Sequence, residues 1–297
     1  MLLSNRPQIL QELRGDRAHQ EISSKLSGYP AAQRLAQEVY DFYAESLSLV
    51  ARSDFAATTF AINLQHAPMA FVSAEVKLQL GTDHVPEALA HELLHLRLPM
   101  LGFPLSEAMW VPLELDCYAG DFLAMGQWVL NVVQHEICFQ NFIELGFHKK
   151  HFLAKPIKRR DYRKRFIRNL RNADSVEIDF PRWCIAYLSH FFTGRHCGDE
   201  DSMRYAQDAL EWGSRIHPAL KRTTAAISRW FEKGAFKNPF EYPRHVNWLL
   251  ELMRIPLFSG WVNLKSSEEQ IPLAVRITNT GDCGGQFLPP FSLSPFC

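Results

Sequence analysis

Residues 88–96 read Ala-Leu-Ala-His-Glu-Leu-Leu-His-Leu, and they restrict the fold more than any other part of the chain. Leu89, Leu93 and Leu96 recur at spacings of four and three, the pattern of a helix with one buried stripe. Asp83 and Pro86 mark its start and Pro99 its stop, so the helix is expected to run to about Leu98. His91 and His95 are four residues apart and project from one face, so both can offer a ring nitrogen to a single ion. Glu92 is turned about a quarter of the way round, within reach of a water at that ion, and is the general-base candidate. Two histidines and a glutamate on a Leu/Ala-rich buried helix are costly to desolvate without partners, which argues against a purely structural reading.

The residues before this helix set up a small sheet. Ala31 to Val50 places Leu35, Val39, Phe42, Tyr43, Leu47 and Val50 at spacings of three and four, which predicts an amphipathic helix entered after Pro30. The period then changes: Thr58 to Leu64 and Met69 to Leu80 read as two strands joined by a turn around His66, Ala67 and Pro68. An edge strand such as Met69 to Leu80 could accept an extended peptide as an additional strand. From Ser106 to Gly146 the pattern is mostly helical.

Side chains able to complete such a site are carried by that later helical stretch, where Glu114, Asp116, Asp121, His135 and Glu136 are the candidates. His135 is preferred because it lies in an apolar run, Asn131 to Phe139, where a polar residue needs a reason to be present. Asn131, one turn earlier, could orient its ring. Glu136 shares the apolar run, and Glu114 stands nineteen residues after His95. Three protein ligands would leave a fourth position for water, the condition for a catalytic site.

On HELLH, and on the order strand–turn–HELLH helix–second helix over roughly Phe55 to Gly146, the chain resembles the zincin metallopeptidases, and within them the compact intracellular peptidases of the ImmA/IrrE type. The resemblance implies an α+β zincin-like core of a small sheet plus the HExxH helix, a Zn²⁺ cofactor, and a peptide or protein substrate hydrolysed by metal-activated water with Glu92 as base. The metzincin pattern is absent, since Leu98 and Leu101 stand where it needs glycine and histidine. The Asn-Glu-x-x-x-Asp helix of thermolysin-like enzymes is absent too. Peptide deformylases need a ligand cysteine upstream of HExxH, whereas the first cysteine here is Cys117.

Charge adds a separate signal. The 297 residues carry 32 Lys+Arg against 32 Asp+Glu, and hydrophobic residues make up 47%, which excludes both a wholly disordered chain and a wholly basic nucleic-acid binder. The neutral total conceals an asymmetry: Lys149 to Arg171 holds eleven Lys/Arg and one acid, Asp161, so this segment is +10 and the remainder −10. Tyr162, Phe166 and Leu170 recur every four residues within Lys158–Arg171, predicting a basic amphipathic helix that could contact nucleic acid or an acidic partner. The alternative function is therefore an inactive zincin-like protein that binds through this helix.

The expected organisation is a zincin-like domain over 1–147, a mainly helical region over 148–257 that opens with the basic helix, and a Gly/Pro-rich tail of little regular structure over 258–297. Trp212, Trp230, Phe231 and Trp248 read as core of the helical region. Cys184, His190, His196 and Cys197 match no familiar zinc module and are read as core. No apolar run approaches the roughly 20 residues a membrane span needs, and the first residues carry no secretory signal, so no membrane contact, a cytoplasmic location and reduced thiols are expected.

Overall fold

The structure is a computed structural model and describes residues 9–52, 55, 57–65, 71–79, 84–111, 119–153 and 176–262. The fold is α+β. Two compact units divide the chain. The first gathers the described residues up to Met100 with Cys138–Phe152; the second takes Leu101–Ile137 and the described residues from Leu153 onward.

The first unit begins with strand β1 (Ile9–Arg14), helices α1 (Asp16–Lys25) and α2 (Pro30–Tyr43), and strand β2 (Leu47–Arg52). Pro30 occupies the first turn of α2, where its missing N–H has no intrahelical partner to lose. The helix buries Leu35, Ala36, Val39 and Tyr43. It ends at Tyr43 and not at Val50 as the periodicity suggested. Ala44 takes a φ of 45°, a left-handed conformation that stops the helix. Beyond it Leu47 and Leu49 are buried in alternation, the period of a strand. Leu47 and Val50 fit a helical spacing equally well, so pairing with distant residues decides their structure.

Strands β3 (Thr59–Gln65) and β4 (Phe71–Gln79) pair antiparallel, with Phe60 opposite Val76 and Ile62 opposite Ala74. β4 also pairs in parallel with β2, Leu49 facing Val76, and β2 pairs antiparallel with β1. The sheet order is β1-β2-β4-β3, so β4 is an inner strand and, among the described residues, the edges are β1 and β3. The expectation that Met69 to Leu80 forms the edge is thereby corrected, because β2 returns to cover its outer side. Helix α3 (Val85–Met100) lies against β3, β4 and α2. The Tyr43 hydroxyl donates to the Leu96 carbonyl at 3.1 Å and Arg97 pairs with Glu38 at 3.0 Å. Pro99 sits in the last turn of α3, one residue from its end.

The second unit contains a strand where helix was expected. Leu105–Trp110 forms β5, paired antiparallel with β6 (Phe258–Val262). The partner lies far away in sequence, so local periodicity gives no sign of it. The stretch expected as an irregular tail therefore begins with an ordered strand, and its remainder lies outside the described residues. Helix α4 (Ala119–Glu144) follows β5 and runs through the division between the units. Then come α5 (Val176–Cys197), α6 (Glu200–Ile216), α7 (Leu220–Lys233) and α8 (Tyr242–Leu252). Trp230 and Phe231 are buried here as expected, whereas Trp248 is exposed and Trp212 half-buried, covered by the Arg215 guanidinium. No described helix is long and apolar enough to cross a membrane.

α5 and α6 meet closely because glycine stands at their contacts. A Cβ at Gly213 would lie 2.8 Å from Cε3 of Trp183, a fully buried ring, and 2.5 Å from Leu220. Gly213→Ala is therefore expected to lower stability by about 1–2 kcal/mol, the overpacking cost exceeding the roughly 1 kcal/mol that alanine gains in a helix. Equilibrium denaturation measures this, and a more stable variant would contradict the packing.

Candidate metal centre

α3 and α4 supply the side chains that matter. On α3 the sequence puts His91 and His95 one turn apart on one face, and α4 contributes His135 from a helix that also buries Val129, Val132, Val133, Cys138 and Phe142. The three histidines each offer a ring nitrogen, and these atoms all lie within 4.8 Å of one another. Their exposures are 7% for His91, 2% for His95 and 7% for His135, with Glu92 at 6%. The Nε2 atoms of His91 and His95 are 3.2 Å apart. Two ligands of a tetrahedral zinc with bonds of about 2.0 Å are separated by about 3.3 Å, so these two rings already have the spacing of a coordination edge.

Aromatic neighbours hold the rings in place. Phe60 of β3 stacks on His95 with centroids 4.8 Å apart and planes 13° from parallel. Phe152 lies 4.9 Å from the His91 ring, and Phe142 meets that ring edge-on at 6.5 Å. The Phe142 side chain is fully buried and also stacks on Phe147. Phe60 and Phe152 were not anticipated as site residues. An alternating strand pattern marks Phe60 as a half-buried residue, but only the packing of β3 under α3 brings it to a histidine.

Burial sets the electrostatics. It pulls the His91 ring down to about 4, with the backbone of Phe152 acting in the opposite sense, so the ring is neutral and able to ligate at neutral pH. Burial also pushes the Glu92 carboxyl well above the usual carboxylate range. Cys138, three residues after His135, has its thiol pushed up by burial and further by Glu92. Cys184 is raised by burial as well. Cys138, Cys184 and Cys197 are buried, and the two raised thiols are poor thiolate ligands.

The other candidates have different roles. Glu136 forms a short buried pair with Nε2 of His196 on α5, and this contact accounts for its presence in an apolar helix. Asp121 pairs with Arg182 at 3.3 Å. Asn131 lies on α4 one turn before His135. Glu114 and Asp116 lie outside the described residues, as does the basic segment Lys158–Arg171 expected to bind nucleic acid or an acidic partner. Among the described residues Cys184, His190, His196 and Cys197 do not gather as a ligand group.

His190 has a consequence for stability. Burial lowers its ring to about 4, opposed by the charge of Asp199, and Tyr205 packs 5.2 Å from the ring. Between pH 6.5 and 4 the unfolded chain binds a proton here that the folded chain does not. This contribution to stability is thus complete above the unfolded value of about 6.5 and is lost as pH falls toward 4, by up to about 3 kcal/mol. His190→Gln should show a shallower loss of stability between pH 7 and 4.5 in denaturant titrations; an unchanged acid slope would contradict the assignment.

Comparison of the chain with protein-family models, with curated proteins and with solved structures finds no match in any of the three. The chemistry of the site therefore has to be read from its own atoms. Three imidazoles whose ring nitrogens lie within 4.8 Å of one another, beside a buried carboxyl group, make a donor set suited to zinc.

Proposed function

We propose that the chain is a zinc-dependent peptidase in which His91, His95 and His135 hold the ion and Glu92 is the general base. The observation that carries this reading is the convergence of three buried ring nitrogens within 4.8 Å, two of them from one HExxH helix. When bound, zinc supplies Lewis acidity, lowering the pKa of a water and polarising a peptide carbonyl. Glu92 takes the proton from the attacking water at its carboxylate and delivers it to the departing amine. Its carboxyl is held up by burial alone and comes back down when a positive charge sits beside it, which brings it toward the range a base needs at neutral pH.

Substrate binding is assigned to β3. It is an edge of the sheet, and it carries Phe60 against His95. An extended peptide can pair with such an edge through its backbone, which aligns a carbonyl without demanding a particular side chain. The test combines zinc stoichiometry with hydrolysis of a peptide library by the wild type and by Glu92→Gln. The reading expects one tightly held zinc per chain and hydrolysis that Glu92→Gln abolishes with the zinc retained. A chain that binds zinc and cleaves nothing would instead support a binding role.

A further inference from the structure

A second group of metal-type ligands gathers at the start of the same helix, with Glu87 one turn before His91. His84 immediately precedes α3 and Glu87 lies in its first turn, three residues on, so the two share a face. His151 comes from a short 3-10 turn, Lys149–His151, in the same unit. One ligand atom from each of His84, Glu87 and His151 lies within 4.8 Å of the other two. The His84 and His151 rings are 4.1 Å apart at their centroids, inclined at 40°.

The spacing of His84 and Glu87 leaves room for an ion between them. His84 Nδ1 is 3.6 Å from Glu87 Oε1. That exceeds the N–H···O range of about 2.7–3.2 Å, yet it is within a few tenths of the edge, about 3.3 Å, of a tetrahedral site with bonds of about 2.0 Å. Two imidazoles and a carboxylate are a donor set for zinc and neighbouring divalent transition metals, one that suits calcium or magnesium poorly. The group is also accessible: the His84 side chain is 49% exposed, which allows an ion to enter and water to complete its shell. The turn is preformed, since His148 Nδ1 accepts a hydrogen bond from the Lys150 backbone N–H at 3.2 Å.

We propose that His84, Glu87 and His151 form a second site for a divalent transition-metal cation, clamping the 149–151 turn onto the start of the HExxH helix. His151 adjoins Phe152, the residue packed on His91, so an ion here braces the segment that supports the buried centre. The adjacent Lys149 and Lys150 are exposed cations and make this the weaker of the two sites. The proposal stands on these three side chains alone and does not depend on the peptidase reading.

The test is calorimetric titration of Zn²⁺ into the metal-stripped full chain, as wild type, as a His84→Ala/His151→Ala double variant and as a His91→Ala/His95→Ala double variant. The expected result is two zinc equivalents in the wild type, the second at least about tenfold weaker, and loss of only that weaker event in His84→Ala/His151→Ala. His91→Ala/His95→Ala should keep the weaker event. If the buried centre does not bind zinc, the wild type takes one equivalent, which still vanishes in His84→Ala/His151→Ala. Identical stoichiometry and affinities in the wild type and His84→Ala/His151→Ala, with circular dichroism showing both folded, would overturn the proposal. A single-variant series, His84→Asn and Glu87→Gln, supplies the same reading should the double variant misfold.

Discussion

Glu92→Gln is expected to lower peptide hydrolysis by about 10²- to 10⁴-fold while leaving one tightly bound zinc per chain. The amide keeps the size of the carboxyl but cannot accept a proton, so the substitution removes the base without disturbing the three rings. Glu92 is buried and its carboxyl is pushed upward by desolvation, so the neutral amide also fits the pocket without a new unpaired charge. The variant should therefore be folded, with thermal stability in the absence of zinc equal to or above that of the wild type. Steady-state cleavage of a peptide library, with metal analysis of the same samples, measures both halves. Hydrolysis retained in Glu92→Gln would remove the residue from its assigned role, and loss of zinc would make it a ligand.

The second large effect concerns His135. His135→Ala is expected to weaken zinc binding by more than about 10²-fold, since two ligands on one helix close too little of the coordination sphere. Zinc at 100 times its dissociation constant stabilises a folded protein by about 2.7 kcal/mol, and that increment should vanish in the variant. In thermal unfolding the wild type should gain about 5 °C or more on adding zinc, and His135→Ala should keep only the smaller gain that the weaker His84–Glu87–His151 site supplies. Glu136→Gln serves as the control. Its carboxylate is engaged with His196, so the substitution should leave zinc affinity within a few fold of the wild type. A reversal, with Glu136→Gln losing zinc and His135→Ala keeping it, would transfer the third ligand to the neighbouring residue.

Much of the arrangement was legible from local pattern. HELLH specifies two ring nitrogens on one helical face whatever the remainder of the fold, because the spacing of four is set by helix geometry. The β3–β4 pair was legible for a similar reason, since Thr58 to Leu64 and Met69 to Leu80 are rich in β-branched and apolar residues around a turn. His135 was harder. In its own helix only side-chain type and Asn131 one turn earlier separate it from Glu136; the contact that sets Glu136 apart is with His196, sixty residues later. What stayed hidden depends on long-range pairing. β2 reads as the end of a helix until Leu49 is placed opposite Val76, and β5 has no local signal for its partner β6. The edge of the sheet was misassigned for the same reason: β4 is covered by a strand that precedes it in sequence. Phe60 and Phe152 illustrate the limit at the level of single residues, since an aromatic ring is marked as buried by its surroundings but not as the support of a histidine.

The central claim is that three histidines, and no thiolate, hold the ion. Zinc K-edge absorption spectroscopy of the full chain carrying one equivalent of zinc tests this most directly. Four nitrogen or oxygen scatterers at about 2.0 Å are predicted, with the outer-shell pattern of imidazole fitted by three rings, one of them lost in His135→Ala. A sulfur scatterer at about 2.3 Å, or a first shell that His135→Ala leaves unchanged, would contradict the account.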